Sequence, residues 1–436
     1  MATWSAPHCP GPLDAVCAVP GSKSESNRAL VMAALADGPS ELTGLLSARD
    51  TDLMVAALRH LGVRIEHHES SAVTTVSPPD RFRAAPGGID CGLAGTVMRF
   101  IPPLAALAGG PTRFYGDQRA GERPMAPLLS GLRQLGVRVD ADNLPFTIDA
   151  PAELGGPRVV IDASASSQFI SGLLLMGARL PHGLDLHHQG TSVPSLPHIQ
   201  MTVSMLGARG VKIDDSQPGR WLVAAGPIMA RNERIEPDLS NAAAFLAAGV
   251  LSGGQVQVPG WPLMTTQPGD LIRHVLEQLG AGITRDADAL QATATGALRG
   301  TTIDLHAASE LTPVVAALAA FAEGTTTISG VAHIRGHETD RLAAIEAELA
   351  SLGVDVRQTA DGVVIEGAGP TGAGLQPTRV LRSYADHRMA HMAALLGLVV
   401  PGVQLDDVDT VAKTMPDFTA RWQAMLAQPR PDGARP

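Results

Sequence analysis

Aromatic residues are scarce: 4 Trp, 2 Tyr and 8 Phe make up 3% of 436 residues. That excludes a surface built to stack sugar rings or single-stranded bases. Basic charge is in deficit as well. With 33 Lys and Arg against 43 Asp and Glu, the formal charge is −10, and the chain offers no bulk attraction to DNA, RNA or anionic membrane. Any anion must be held by a few placed cations. The three cysteines, Cys9, Cys17 and Cys91, are odd in number and lack metal-ligand spacing, so neither a disulfide framework nor a zinc site is indicated. The longest apolar stretches, such as Met389 to Val400, fall short of the ~20 residues of a membrane span. The opening MATWSAPHCPGPLDAV lacks the basic-then-apolar order of a signal peptide. These absences predict a protein of the reducing cytoplasm that needs no metal and no cofactor.

What is present is a repeat. Hydrophobic residues reach 45%, mostly Ala, Leu and Val, and a chain of 436 residues exceeds one ordinary core, so two domains of roughly 200 residues are expected. The segments LGVRI, LGVRV, RGVKI, LGAGI and LGVDV place Gly62, Gly136, Gly210, Gly280 and Gly353 at intervals of 74, 74, 70 and 73. The glycines follow amphipathic stretches such as VAALRHLG and IEAELASLG, which read as helices stopped by Gly and followed by a strand. Six further stretches are apolar nearly all round and end at Gly, from SNRALVMAALADG to DHRMAHMAALLGLVVPG. Helices of that kind are buried.

Six units divide into two domains of three. The boundary falls near Gly226–Pro237, where GPIMARNERIEPD breaks both periodicities. The expected domains are residues 21–234 and residues 1–20 with 235–436. The lead-in before Gly21 is strand-like and could pair with either half. The tail QPRPDGARP after Gln428 reads as disordered.

The first turns of the apolar helices carry Lys23-Ser24, Gly95-Thr96, Ser166-Ser167-Gln168, Ser240-Asn241, Glu310 and Asp386-His387-Arg388. Helix N-termini offer unpaired N–H groups to anions. Ordinary capping accounts for Asp238 and Ser240. It does not account for Lys23, Gln168 and Arg388; the cations Lys23 and Arg388 oppose the dipole there, and Gln168 is not a capping type. GERP with Arg123, GHETDR with His337, Glu338, Asp340 and Arg341, and KTMPDF with Lys413 add further charge. Singly these would be solvated charges or structural ion pairs. As a set they suit phosphate and carboxylate recognition.

In order and spacing, PGSKSESNRAL, GLAGTVMRF, GERPM, SSQF, HETDRL, DHRMA and KTMPDF resemble the 5-enolpyruvylshikimate-3-phosphate synthase family, over Pro20 to Phe418. The resemblance implies a two-domain inside-out α/β barrel fold. Each domain would hold three βαβαββ-type units around buried helices, closing on substrates in the cleft between the domains. It implies transfer of the enolpyruvyl group of phosphoenolpyruvate to the 5-hydroxyl of shikimate 3-phosphate, on the route to chorismate and the aromatic amino acids.

By position, Lys23 would touch both substrates. Ser24, Arg28, Ser166, Ser167, Gln168, Ser195, Glu310 and His337 match the shikimate-phosphate side. Gly95, Arg123, Gln168, Arg341, Arg388 and Lys413 match the phosphoenolpyruvate side. Glu310 falls at the proton acceptor, often Asp in relatives, and is the expected base. Lys23, Glu338, His387 and Lys413 are the candidates for the other proton transfers, with Lys23 ranked above Glu338 as acid because cations lower a carboxylate's pKa. Leu93 stands where many members have Asn, Phe100 where many have Pro, His198 where some have Tyr, and His337 where Lys is common. Gly95 leaves room for phosphoenolpyruvate, and the resemblance implies that glyphosate would fit too.

Three other readings are weaker. The family acting on UDP-N-acetylglucosamine is expected to carry a reactive Cys five residues before the arginine matching Arg123, where this chain has Gln118; Cys91 reads as a small core residue. RNA 3′-phosphate cyclase would need a surface for RNA that this acidic chain lacks. A non-catalytic phosphometabolite-binding protein would bind anions without turnover. The evenly spread apolar surface makes a monomer the default.

Overall fold

The computed structural model describes residues 3–428; the Pro- and Arg-rich tail lies outside them. The chain packs as two compact units, Gly21–Ile235 and Met1–Pro20 with Glu236–Pro436. Each has its own apolar core.

Each unit contains three copies of one motif. In Gly21–Ile235 the copies carry helices α1 (Lys23–Leu35) and α2 (Arg49–His60), α3 (Gly95–Ala106) and α4 (Ala126–Gln134), and α5 (Gln168–Gly177) and α6 (Leu196–Gly207). The other unit carries α7 (Leu239–Leu251) and α8 (Ile272–Gln278), α9 (Thr312–Ala320) and α10 (Arg341–Leu352), and α11 (His387–Val399) and α12 (Phe418–Leu426). The odd-numbered helices are buried almost along their whole length, as their all-round apolar sequences require. The even-numbered helices are amphipathic and keep one face in solvent.

Around the second repeat, strand Ile89–Asp90 leads into α3 and pairs in parallel with Gly110–Tyr115; after α4, Arg138–Val139 and Phe146–Ala150 complete the sheet antiparallel. Sheets with the same order of one parallel and two antiparallel pairings recur in the third and fifth repeats.

The five repeat glycines share one physical role. Gly62 sits at φ 96° after α2, and the Val63 amide reaches back to the Leu58 carbonyl at 3.1 Å. That six-to-one bond closes the helix and launches the next strand. Gly136, Gly210, Gly280 and Gly353 have φ between 82° and 97° and are followed by the same bond. A left-handed residue is needed every 70 to 74 positions, and the sequence spacing reports that need.

The lead-in strands are exchanged. Asp14–Val16 precedes α1 in sequence but pairs in parallel with Gln255–Pro259, in the sheet of the fourth repeat. Glu233–Arg234 precedes α7 but pairs with Ser40–Thr43, in the sheet of the first. Buried Arg209 holds that returning strand, donating to Glu233 at 2.7 Å.

Candidate active site

In unit Gly21–Ile235, the functional side chains sit at the starts of buried helices. Ser22 caps α1, and Lys23 follows as its first residue, 3.5 Å from the buried carboxylate of Asp50. One turn on, Arg28 is fully buried. Its guanidinium donates to Thr202 Oγ1 at 2.7 Å, the Ser24 carbonyl at 2.9 Å, the His198 carbonyl at 3.0 Å and Ser171 Oγ at 3.3 Å. It also lies 5.1 Å from the centre of the Phe100 ring, so this departure from the family pattern has a contact of its own. Among the described residues no carboxylate pairs with Arg28. Burial pushes its pKa down to about 9, against the pull of Glu25, which leaves it charged at neutral pH. The half-buried His198 ring is held neutral, its pKa lowered to about 3 by burial and by Arg28 and Lys23.

The start of α3 is a cradle. A Cβ on Gly95 would come within 2.9 Å of Arg123 Nη2, 3.1 Å of Arg99 Nη1 and 3.1 Å of Gln168 Oε1. Two guanidiniums and a carboxamide therefore converge on the space that a side chain would fill. Arg123 donates to the Leu93 carbonyl at 3.0 Å, a backbone contact available whatever side chain stands at position 93. Arg99 was not singled out from sequence, although a lone cation inside the apolar run GTVMRF was a usable signal. Asp50 offered no such signal. Ser166 receives the Gln168 amide at 3.2 Å, Ser167 is the buried residue just before α5, and Ser195 precedes α6 with φ 51°. Cys91 is a core residue, its thiol pushed up to about 12 by burial.

In the other unit Arg341 and Lys413 are paired with carboxylates. Arg341, first residue of α10, donates to buried Asp386 at 2.7 and 3.2 Å and to Glu338 at 3.0 Å. Glu338 also accepts from Lys413 at 2.5 Å. Burial works against the charge on Arg341, but Asp386 and Glu338 outweigh it and hold its pKa above the ordinary value. Asp386 also caps α11, accepting the Arg388 amide at 2.9 Å, and His387 Nδ1 lies 3.7 Å from it. Arg388 donates to the Ser240 carbonyl at 2.7 Å. Arg341 Nη1 lies 3.1 Å from His337 Nδ1; since guanidinium can only donate, that imidazole accepts and keeps Nε2–H as a donor.

Glu310 sits in a single turn, Ser309–Leu311, that feeds α9. Ser240 was expected to cap α7, and it does not. Asp238 is the cap, accepting the Asn241 amide at 2.9 Å, while the Ser240 hydroxyl two residues on reaches Glu310 at 3.2 Å. The Glu310 carboxylate is pushed above the usual range by its low-dielectric surroundings, against Arg388 and the Ser240 bond. Among the described residues no group of three or more His, Cys, Asp or Glu is placed to hold a metal ion.

Helices whose buried starts gather cations, repeated over βαβ-and-hairpin units in two bodies, define the class: a two-domain α/β protein of the enolpyruvyl-transferase fold. Its architecture is similar to the enolpyruvyl transferase NikO from Streptomyces tendae, at 19% identity, 96% of both chains and a TM-score of 0.73. Two structures of EPSP synthase from Acinetobacter baumannii match at 24% identity. One covers 98% of both chains with a TM-score of 0.81, the other 96% of this chain and 97% of that one with 0.79. The family pattern of EPSP synthase (3-phosphoshikimate 1-carboxyvinyltransferase) matches residues 7–422, and the chain belongs to that family. Its members are enzymes of enolpyruvyl transfer in the shikimate pathway, taking phosphoenolpyruvate and shikimate 3-phosphate.

Proposed function

We propose that this chain adds the 5-hydroxyl of shikimate 3-phosphate to C2 of phosphoenolpyruvate and then expels phosphate. The observation that carries this is Arg28 and Arg123, buried guanidiniums with no carboxylate partner among the described residues. A buried cation is costly unless an anion meets it, and the two substrates bring carboxylates and phosphates.

In the first step the hydroxyl oxygen bonds to C2, its proton passes to a base, and C3 takes up a proton to become a methyl group. In the second, the C2–O bond to phosphate breaks and C3 returns a proton to the group that supplied it, restoring the C2=C3 double bond, now as an enol ether. Glu310 is the base at the hydroxyl. Its raised pKa makes it a stronger proton acceptor than an ordinary carboxylate, and Ser240 orients it. The donor at C3 is assigned to Lys23 in preference to Glu338, whose carboxylate is already held by Lys413 and Arg341. His387 and Lys413 serve the leaving oxygen.

Arg28, Ser24, Ser166, Ser167, Ser195 and His337 take the shikimate phosphate and carboxylate. Gly95, Arg123, Gln168, Arg341, Arg388 and Lys413 take phosphoenolpyruvate, the first by leaving the cradle at α3 open. Preformed donors of this kind stabilise charge as it develops on the departing phosphate. On this reading the unit Gly21–Ile235 serves mainly the acceptor and the other unit mainly the donor chemistry. The enzyme works as a cytoplasmic monomer; its three thiols are free, and no described helix is long and apolar enough to cross a membrane.

Phosphate release from purified protein tests the assignment, with phosphoenolpyruvate and either shikimate 3-phosphate or UDP-N-acetylglucosamine. Release that needs shikimate 3-phosphate and is lost in Lys23→Ala is expected. Release with only the nucleotide sugar, or none from folded protein, would overturn it.

A further inference from the structure

Glu348 lies two turns along α10 from Arg341, and no role assigned above involves it. Its side chain is 1% exposed, yet four donors converge on it. Arg379 gives two hydrogen bonds, 2.8 Å to Oε2 and 3.0 Å to Oε1. The Tyr384 hydroxyl donates to Oε1 at 2.6 Å and the Arg382 amide to Oε2 at 3.2 Å. All four come from one short segment, Arg379 to Tyr384.

That segment leads straight into the charged cluster. Tyr384 and Ala385 are consecutive non-glycine residues in left-handed conformation, φ 55° and 54°. Such backbone persists only where its surroundings over-determine it. Here Ser383 donates from its amide to Asp406 at 2.8 Å, and the Asp386 amide turns back to the Ser383 carbonyl at 2.9 Å. The next residue in the chain is Asp386, which holds Arg341 and caps α11 ahead of Arg388. Helix α10 thus holds the left-handed step on both sides, through Glu348 at Tyr384 and through Arg341 at Asp386.

We propose that Glu348 is a positioning residue for phosphoenolpyruvate: through Tyr384 it sets the left-handed step that aims Asp386, and with it Arg341 and Arg388. Helix α10 does not need Glu348 for docking, since Leu342, Ile345, Leu349 and Leu352 already bury its apolar face. The Tyr384 hydroxyl, pushed up to about 12 by burial and by Glu348, stays a donor throughout an ordinary assay range.

The inference rests on the enolpyruvyl-transfer reading. Steady-state kinetics of phosphate release would be compared for wild type, Glu348→Gln and Tyr384→Phe, with thermal unfolding of each. Tyr384→Phe removes one hydroxyl from a half-buried ring and keeps the test open should Glu348→Gln fail to fold. The expected result is a rise in KM for phosphoenolpyruvate of about fivefold or more in Tyr384→Phe, larger in Glu348→Gln where that variant folds. KM for shikimate 3-phosphate should stay within about twofold. An unchanged KM for phosphoenolpyruvate, or loss of kcat alone in step with lost folded protein, overturns the proposal. No release from wild type overturns the underlying reading, and the proposal with it.

Discussion

At Gly95 the backbone itself is the recognition element, because three polar groups stand where a methyl would project. Gly95→Ala is expected to raise KM for phosphoenolpyruvate about tenfold or more, since the guanidiniums must shift from the positions they hold. Its thermal midpoint should stay near that of wild type, because the flexible ends of Arg123, Arg99 and Gln168 can move aside. Equal KM values would remove the cradle from the site. Glu310 yields a second prediction. Its pKa is raised, and the ionised form is the base, so the acid limb of kcat/KM should lie above the ~4.3 of an ordinary Glu. Ionised Glu310 is also a cost to the fold, present as pH rises through its own pKa and relieved below the unfolded value. Glu310→Gln should lower kcat by roughly a hundredfold or more and abolish that limb. A pH profile for Glu310→Gln that matches wild type would exclude Glu310 as the base.

Among the secondary-structure elements, the repeat helices were legible for a concrete reason. Each amphipathic helix must stop and reverse into a strand, and glycine does this at least cost, so Gly62, Gly136, Gly210, Gly280 and Gly353 mark the period openly. Gly353→Ala isolates that cost. Its Cβ would meet nothing nearer than Leu375 at 3.9 Å, so only the backbone at φ 95° objects. A loss of about 1 kcal/mol in denaturant unfolding is expected, and less for Gly353→Asn, which tolerates the left-handed region better. An unchanged midpoint for Gly353→Ala would contradict the role given to these glycines. What composition and spacing could not show were the partners inside the helix starts. Asp238 and Ser240 are both good caps by type, and only packing decides that one closes α7 while the other turns toward Glu310. Asp50 and Glu348 are two more acidic residues on amphipathic helices until long-range packing buries them against Lys23 and Tyr384.

In the molecule as a whole, the two-body α/β architecture follows from six copies of a motif that leaves an apolar helix needing cover. Which lead-in strand joins which sheet does not follow from pattern. Asp14–Val16 and Glu233–Arg234 are two or three residues long, and their registers become visible only in the sheets they complete. Residues 21–235 hold a core and every strand of their own sheets. Expressed alone, they should unfold cooperatively in urea. Residues 236–436 alone lack the Asp14–Val16 strand and the Ala18 carbonyl that receives Arg421 at 2.7 Å, and should gain cooperativity only when a peptide of residues 1–20 is added. A 21–235 fragment without a transition would refute the independence of that unit.

The exchange of lead-in strands also sets a timetable for synthesis. Asp14 and its partner Gln255 are 241 residues apart, so at about 5–20 residues per second the strand Asp14–Val16 leaves the ribosome tens of seconds before its sheet exists. An entire body, Gly21–Ile235, is translated in the interval. Throughout that wait a strand edge is open to any neighbouring chain, the usual start of misassembly. Pro7, Pro10, Pro12 and Pro20 bracket it. They have no amide hydrogen to lend to a foreign ladder, which limits how far that open edge can extend on either side.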